Sequence, residues 1–165
     1  MAFRYFHPDD VISGEGTRLH GGRFVPVGVR AVYASLEEET ALREVTTRKS
    51  GLGGRSQISV GEYPRITYVL AVATNRNLDL AVKLPSELAN VVRLGLRGPG
   101  HSVSQELAAI WILEGIDSVV FPSATDAGRN VAVYLANAAA GSVVVRNRAE
   151  VLAALRRPPA GKRSR

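Results

Sequence analysis

Short apolar runs rich in β-branched and aromatic residues recur along the chain and predict β-strands. A hairpin is expected from residues 24–25 and 29–34, joined through Pro26-Val27-Gly28, with later strands at 66–73, 118–121, 131–135 and 142–146. In the second arm of the hairpin, Val29, Ala31 and Tyr33 share one face, and Val32 and Ala34 share the other. Residues 1–22 are rich in Gly, Pro, Asp and His, which predicts a short strand followed by a loop.

Apolar residues at helical spacing predict helices between these strands. Ser35-Leu-Glu-Glu38 matches a capping box, so a helix is expected to begin at Ser35, continue through Val45 and end near residues 48–51. Further helices are predicted at 85–94, 104–114 and 149–156. Strands and helices that do not alternate regularly favour an α+β fold, with mixed central sheets and flanking helices in a single domain over residues 1–155.

The charge of the chain is concentrated at its C-terminal end. The net charge is +6, from 21 basic and 15 acidic residues, and five of the basic residues lie in residues 156–165. The body therefore keeps 16 basic against 15 acidic residues, a net charge of +1, which is a poor electrostatic footprint for a nucleic-acid binder. Pro158, Pro159 and Gly161 predict that the basic tail is a disordered, solvated end.

The cysteine count and the apolar stretches of the chain indicate its cellular compartment. The chain has no cysteine, which removes disulfides and thiolate chemistry and suits a reducing environment. Its N-terminus lacks the layout of a signal peptide, and Asn137 and Gly141 interrupt the most apolar region, so no membrane span is expected. We expect a cytoplasmic protein with no membrane partner.

Familiar nucleotide and metal motifs do not account for the sequence. The glycines at 51–54 and 95–100 do not follow the dinucleotide fingerprint, and no phosphate loop ends in Gly-Lys-Ser/Thr. His7, His20 and His101 show no metal-ligand spacing, so no metal is expected. Ser123 lacks the glycine elbow of a serine hydrolase.

The segment that starts at Gly21-Gly22-Arg23 carries the most suggestive chemistry. In a hairpin centred on Gly28, Arg23 and Tyr33 would lie opposite each other, as a phosphate clamp and a stacking platform. Two glycines before Arg23 would let a ligand approach the backbone closely. Glu44 lies at the edge of the apolar face of the next predicted helix, where a carboxylate can face a cleft.

Three spaced blocks carry a resemblance to a known family. Gly21-Gly-Arg-Phe24, Ala31-Val-Tyr-Ala-Ser35 and Glu39-Thr-Ala-Leu-Arg-Glu44 resemble the signature of RES-domain toxins, and of ParT-like toxins among them. Gln105, Trp111 and the run Gly115-Ile-Asp-Ser-Val-Val-Phe-Pro-Ser123 are similar to the second half of that family. The chain departs from the family at Phe24, where Trp is usual, and at Val25, where Asn is frequent, which puts substrate preference in question.

The resemblance implies the fold of ADP-ribosyltransferase toxins and chemistry on NAD⁺ as substrate. It implies that Glu44 stabilises the ribose cation, Arg23 binds the pyrophosphate, Tyr33 stacks on nicotinamide or holds its ribose, and Ser123 orients Glu44 or the ribose. Gly22 would also line the dinucleotide, with Arg18 and Arg4 as weaker phosphate-binding candidates. The implied partner is a cognate antitoxin. The leading prediction is a toxin that transfers ADP-ribose to a host protein, although the resemblance itself fits either a protein or a small acceptor.

Several alternatives remain open. Each site residue alone has a structural explanation: a surface arginine, a half-buried tyrosine, a helix ion pair of ~0.3–0.5 kcal/mol between Glu44 and Arg48, and a turn serine. Gln105 and Trp111 fit a packed helix better than a site. A second function is NAD⁺ breakdown by a glycohydrolase or phosphorylase. A third is a non-enzymatic nucleic-acid-binding module, which would need the basic tail.

Overall fold

The computed structural model describes residues 7–43, 66–80, 102–123 and 127–156. Its strands are β1 (Ala31–Ser35), β2 (Leu70–Val72), β3 (Asn77–Asp79), β4 (Ser118–Pro122), β5 (Arg129–Tyr134) and β6 (Val143–Val145). Its helices are α1 (Pro8–Ile12), α2 (Glu15–His20), α3 (Ser102–Leu113) and α4 (Arg148–Leu155), and residues 38–43 are also helical. Arg4, Glu44, the predicted helix at 85–94, the glycine-rich segments at 51–54 and 95–100, and the tail beyond Arg156 lie outside the described residues.

Two sheets organise the described part of the chain. The larger sheet has the strand order β1-β5-β4-β3, with β5 antiparallel to both of its neighbours and β3 parallel to β4. The smaller sheet pairs β2 with β6 in antiparallel register. Helices and mixed sheets in one irregular order confirm the α+β class expected from the sequence.

Alternation along the central strands divides the core into two clusters. One cluster contains Phe24, Ala31, Phe121, Ala132 and Tyr134, with Trp111 and Ile112 of α3 packed near it. The other contains Val32, Val120, Val131, Val133 and Val143, with Ile12 and Leu70 beside it. The larger sheet therefore lies between α3 with the Phe24 segment on one face and the smaller sheet with α1 on the other. Because β4 and β5 are buried on both faces, their sequences are continuous apolar runs.

The strongest apolar patterns gave the correct elements. The helix predicted at 104–114 and the strands predicted at 118–121 and 131–135 correspond to α3, β4 and β5. The predicted division of faces in β1 is also confirmed, since Ala31 and Val32 belong to opposite clusters. The sequence gives no pattern for β3, because Asn77-Leu-Asp79 is short and mostly polar and forms through its pairing with β4. Among the described residues, no helix is long and apolar enough to cross a membrane.

Beyond residue 7 the N-terminal segment is helical where the sequence predicts a loop, and any part of the expected strand before His7 lies outside the described residues. Pro8 opens α1, His7 caps it, and the Asp10 carboxylate accepts the His7 backbone N–H at 3.1 Å. This reciprocal capping, with Pro at the first helical position, is a helix-start arrangement that outweighs the loop-like composition. Gly14, at φ +66°, then separates α1 from α2.

The predicted hairpin centred on Gly28 is wrong, and so is the helix start at Ser35. The Gly28 N–H donates to the Arg18 carbonyl at 2.9 Å, and β1 pairs with β5 instead of with residues 24–25. Ser35 is the last residue of β1, and its hydroxyl donates to Asn130 Oδ1 at 2.7 Å instead of capping a helix. The helical residues begin at position 38, because sheet pairing holds the chain extended through Ser35 and residues 36–37 then form a bend.

The buried phenol of Tyr134 joins the sheet to the Phe24 segment. Its hydroxyl donates to the Phe24 carbonyl oxygen at 3.0 Å, and Tyr134 and Phe24 are both fully buried. Burial, with a smaller contribution from Tyr33, raises the pKa of the Tyr134 phenol above its ordinary value. The group is therefore a neutral donor throughout the physiological pH range.

Tyr134→Phe should destabilise the fold by about 1–3 kcal/mol, because the buried Phe24 carbonyl loses its phenolic donor. Urea unfolding measures this, with Leu113→Ala as a control, since Leu113 is 87% exposed and the change should stay within about 0.5 kcal/mol. The native state keeps the Tyr134 proton at a pH where the unfolded chain has lost it, so the advantage of wild type over Tyr134→Phe should shrink above about pH 10. Equal stability of the two proteins at neutral pH would contradict this role.

Candidate active site

Arg23 lies at the tip of a tight turn that is anchored by the residue after it. Backbone hydrogen bonds close the turn, from the Gly22 N–H to the Val25 carbonyl at 2.8 Å and from the Val25 N–H to the Gly22 carbonyl at 3.3 Å. Phe24 and Val25 are fully buried, whereas Arg23 is only half-buried. The Phe24 ring packs 4.8 Å from the Phe121 ring centroid and 6.0 Å from that of Trp111. Burial of Phe24 thus fixes the turn on the sheet, with the half-buried Arg23 at its tip.

Tyr33 lies beside this turn, although no hairpin brings it there. It projects from β1 on the same face as Ala31, and its hydroxyl oxygen accepts the Phe24 N–H at 2.9 Å. Its ring stands edge-on to Phe121, with centroids 6.1 Å apart. The predicted proximity of Arg23 and Tyr33 is therefore present, but through sheet packing and not through strand pairing.

The two glycines before Arg23 are explained by contacts within the protein. Gly21 has φ +65°, a conformation that side chains other than glycine rarely adopt. A Cβ on Gly22 would lie 2.6 Å from the Tyr33 ring. The Gly22 carbonyl accepts a hydrogen bond from Gln105 Nε2 of α3 at 2.9 Å. Glycine at both positions is thus required by the turn and by the Tyr33 ring.

Ser123 follows β4 at the end of the same sheet face. It lies two residues beyond Phe121, whose ring contacts both Phe24 and Tyr33, so strand alternation directs both residues to one side. The Ser123 N–H donates to the Gly128 carbonyl at 2.8 Å and closes the loop between β4 and β5. Ser123 is half-buried. Tyr33 therefore contacts the turn that bears Arg23, and Ser123 follows Phe121, the residue on which this turn packs, by two positions.

The loop that carries Ser123 is attached to the start of the helical segment 38–43. The Glu37 carboxylate accepts the Arg129 N–H at 2.8 Å and lies 3.6 Å from the Arg129 guanidinium. Thr40 is buried against Gly128, and an open cavity of about 320 Å³ lies between the loop and the segment. Arg43 lines this cavity, and Glu44 comes directly after it in the chain.

Three further polar side chains belong to this region and were not among the sequence candidates. They are Glu37, which holds the loop, and the pair Ser35 and Asn130, which lie opposite each other in the β1–β5 register. Asn130 is only 8% exposed and lies in β5 between the exposed Arg129 and the buried apolar run Val131-Ala-Val133. A polar residue in a buried strand is the sequence feature that could have singled it out.

The remaining sequence candidates lie in other environments. Arg18 donates to the Glu15 carboxylate at distances of 2.5–3.0 Å, and this hydrogen bond raises the Arg18 pKa and lowers the Glu15 pKa. Arg30 approaches the same carboxylate at 3.1 Å. Trp111 packs against the core, as expected. Within the described ranges, no group of three or more His, Cys, Asp or Glu side chains could hold a metal ion.

Gly128→Ala should destabilise the protein by about 1–3 kcal/mol, because the added Cβ would overlap Thr40 Oγ1 and lie 3.0 Å from Glu37 Oε2. Thr40→Ala in the same chain should recover part of this loss by removing the overlapping hydroxyl. Gly16→Ala is the matched control, since a Cβ there meets nothing within 4 Å and alanine favours the helix. Urea unfolding of the variants checks the contact, and a Gly128→Ala protein as stable as Gly16→Ala would disprove it.

Comparisons with known proteins identify the family of the chain. Among solved structures, the chain is similar to one in the crystal structure of the M. tuberculosis MbcT–MbcA toxin–antitoxin complex, with a TM-score of 0.61 and 18% sequence identity, over 93% of this chain and 84% of that chain. At this identity the likeness shows the fold alone. A search among curated proteins found no match. The family model described as the RES domain matches residues 2–155, so the chain belongs to the RES domain family.

Proposed function

We propose that this chain is the toxin of a toxin–antitoxin pair, and that it cleaves NAD⁺ between nicotinamide and ribose and transfers ADP-ribose to a host protein. The observation that carries the proposal is that the turn bearing Arg23 bonds through the Phe24 N–H to the Tyr33 hydroxyl and packs on Phe121, two residues before Ser123, in a chain of the RES domain family. The similar fold of a toxin in a toxin–antitoxin complex supports a cognate antitoxin as partner.

The reaction needs charge stabilisation more than a strong nucleophile. Nicotinamide leaves as a neutral base with the bonding electron pair, and the ribose becomes oxocarbenium-like, as in glycoside cleavage. The acceptor attacks the anomeric carbon and loses its proton to solvent or a nearby base. A carboxylate beside the ribose stabilises the developing positive charge, and we assign this role to Glu44.

The described residues fit the remaining roles. The Arg23 guanidinium can bind the pyrophosphate with two parallel hydrogen bonds, and the buried Phe24 and Val25 anchor the turn that carries it. Tyr33 offers an aromatic ring beside Arg23 for nicotinamide or its ribose. The Ser123 hydroxyl, at the end of β4, can orient Glu44 or a ribose hydroxyl. The open cavity that Glu37, Thr40 and Arg43 line leaves room for part of a ligand beside the helical segment 38–43.

A second reaction at the same site is breakdown of NAD⁺ by a glycohydrolase or phosphorylase. The open cavity favours keeping this candidate, since a site accessible to solvent also admits water or phosphate as acceptor. Both reactions share the step that expels nicotinamide and differ only in the acceptor.

Glu44→Gln should lower the rate of nicotinamide release at least ~100-fold while leaving the protein folded, because the amide keeps the shape but removes the charge that stabilises the ribose cation. Nicotinamide release from NAD⁺ is followed by chromatography, and folding by circular dichroism. Glu150→Gln on α4 is the matched control, since Glu150 is exposed. The Glu150→Gln protein should turn over NAD⁺ like the wild type. Wild-type turnover by Glu44→Gln would remove Glu44 from the mechanism.

Incubation with NAD⁺ labelled in the adenylate portion and a cell lysate should place the label on a discrete protein band, because transfer to protein retains ADP-ribose. Mass spectrometry of that band would identify the modified residue. The Glu44→Gln protein serves as the control and should label nothing. Free ADP-ribose or ADP-ribose phosphate as the sole labelled product would instead establish NAD⁺ breakdown.

A further inference from the structure

The two peptide groups that flank Arg23 are each held by a side chain from a distant element. The Gly22 carbonyl belongs to the peptide group before Arg23 and accepts Gln105 Nε2 at 2.9 Å. The Phe24 N–H belongs to the peptide group after Arg23 and donates to the Tyr33 hydroxyl oxygen at 2.9 Å. Fixing both peptide planes fixes the backbone dihedrals of Arg23, and with them the direction in which its side chain leaves the turn.

Gln105 is itself held in place by the packing of α3. Ala108, one turn along the helix, is fully buried, and Ile112 packs against the same core cluster, so Gln105 lies on the inner face of α3. On the opposite side, Ile110 is 55% exposed. The amide also packs against the turn, since a Cβ on Gly21 would lie 3.2 Å from Gln105 Nε2. The core therefore determines the position of the amide that holds the turn.

We infer that Gln105 is a positioning residue for Arg23, orienting its guanidinium toward the pyrophosphate of the dinucleotide. This inference rests on the proposed function. Gln105 acts through the Gly22 carbonyl, not through the reacting bond, so its loss should weaken NAD⁺ binding more than it slows the chemical step. A purely structural Gln105 would contribute to stability and leave the affinity for NAD⁺ unchanged.

The decisive variant is Gln105→Met, which preserves the volume and removes the donor. We expect its KM for NAD⁺ to rise about tenfold or more, with kcat changed less than about threefold, because a misaligned guanidinium loses part of its paired hydrogen bonding to the pyrophosphate while the reacting bond is untouched. In an Arg23→Ala background the same substitution should change KM no further, since the residue through which it acts is gone. Calorimetric titration with ADP-ribose gives the affinity independently of turnover.

Asn137→Leu is the matched control for the lost hydrogen bonds. The Asn137 amide donates to the carbonyls of Ile112 and Ile116 at 2.7 and 2.8 Å, and Ile112 lies seven residues, roughly 10 Å, along α3 from Gln105. The Asn137→Leu substitution should lower the melting temperature at least as much as Gln105→Met does, with an unchanged KM.

Gln105→Glu provides a second variant in case Met disrupts packing. The carboxylate that this substitution introduces would repel the Gly22 carbonyl, whereas the protonated acid can donate a hydrogen bond to it. The affinity for ADP-ribose should therefore recover at acidic pH.

The outcomes separate the two hypotheses. Wild-type protein that releases no nicotinamide from NAD⁺ would overturn the proposed function, and the inference with it. Wild-type protein that turns over NAD⁺, together with a folded Gln105→Met of unchanged KM, would overturn the inference alone. An equal rise in KM in the presence and absence of Arg23 would also overturn it, because Gln105 would then act independently of the arginine.

Discussion

The burial of Phe24 is the constraint on which the candidate site depends. Its ring packs against Phe121 and Trp111, and its two backbone polar groups are bound by the phenols of Tyr33 and Tyr134. Complete loss of such a buried ring costs roughly 3–5 kcal/mol in globular proteins, which is a large part of the stability of a small domain. Arg23 precedes this anchored residue directly, so a surface guanidinium takes a fixed position from the core beneath it.

The same sheet face that buries the core also presents the polar groups. On this face of β1 and β5, small and aromatic side chains occupy the Ala31–Tyr134 and Tyr33–Ala132 pairs, whereas Ser35 and Asn130 form a hydrogen-bonded pair at the other end. Ser123 lies at the corresponding end of β4, next to the loop that Glu37 holds. The apolar part of the face thus keeps the polar part rigid, because close-packed side chains leave little room for the strand ends to shift.

The sequence predicted the elements whose stability comes from long apolar runs, and it named Arg23 and Tyr33 as neighbours. It placed them in the wrong geometry, because the symmetry of residues 23 and 33 about Gly28 suggested strand pairing that sheet formation with β5 excludes. The helix start predicted at Ser35 is wrong for a similar reason. Ser35 has the local pattern of a cap, but its hydroxyl is used in the long-range pairing with Asn130. Local patterns describe what a segment can do alone, and tertiary contacts decide which option is taken.

The contacts that build the site join segments far apart in the chain, and this explains why its supporting residues could not be recognised from sequence. Gln105 reaches Gly22 across 83 positions, Tyr134 reaches Phe24 across 110, and Arg129 reaches Glu37 across 92. No periodic pattern relates residues at such separations, whereas Arg23 and Glu44 are visible in short blocks of sequence. The entropic cost of closing these long loops is offset only when the core forms. The orientation of Arg23 and the position of the Ser123 loop therefore arise together with the fold. The geometry of the site is therefore a property of the whole domain, because the turn that bears Arg23 is held by Gln105 of α3, Tyr33 of β1 and Tyr134 of β5 at once.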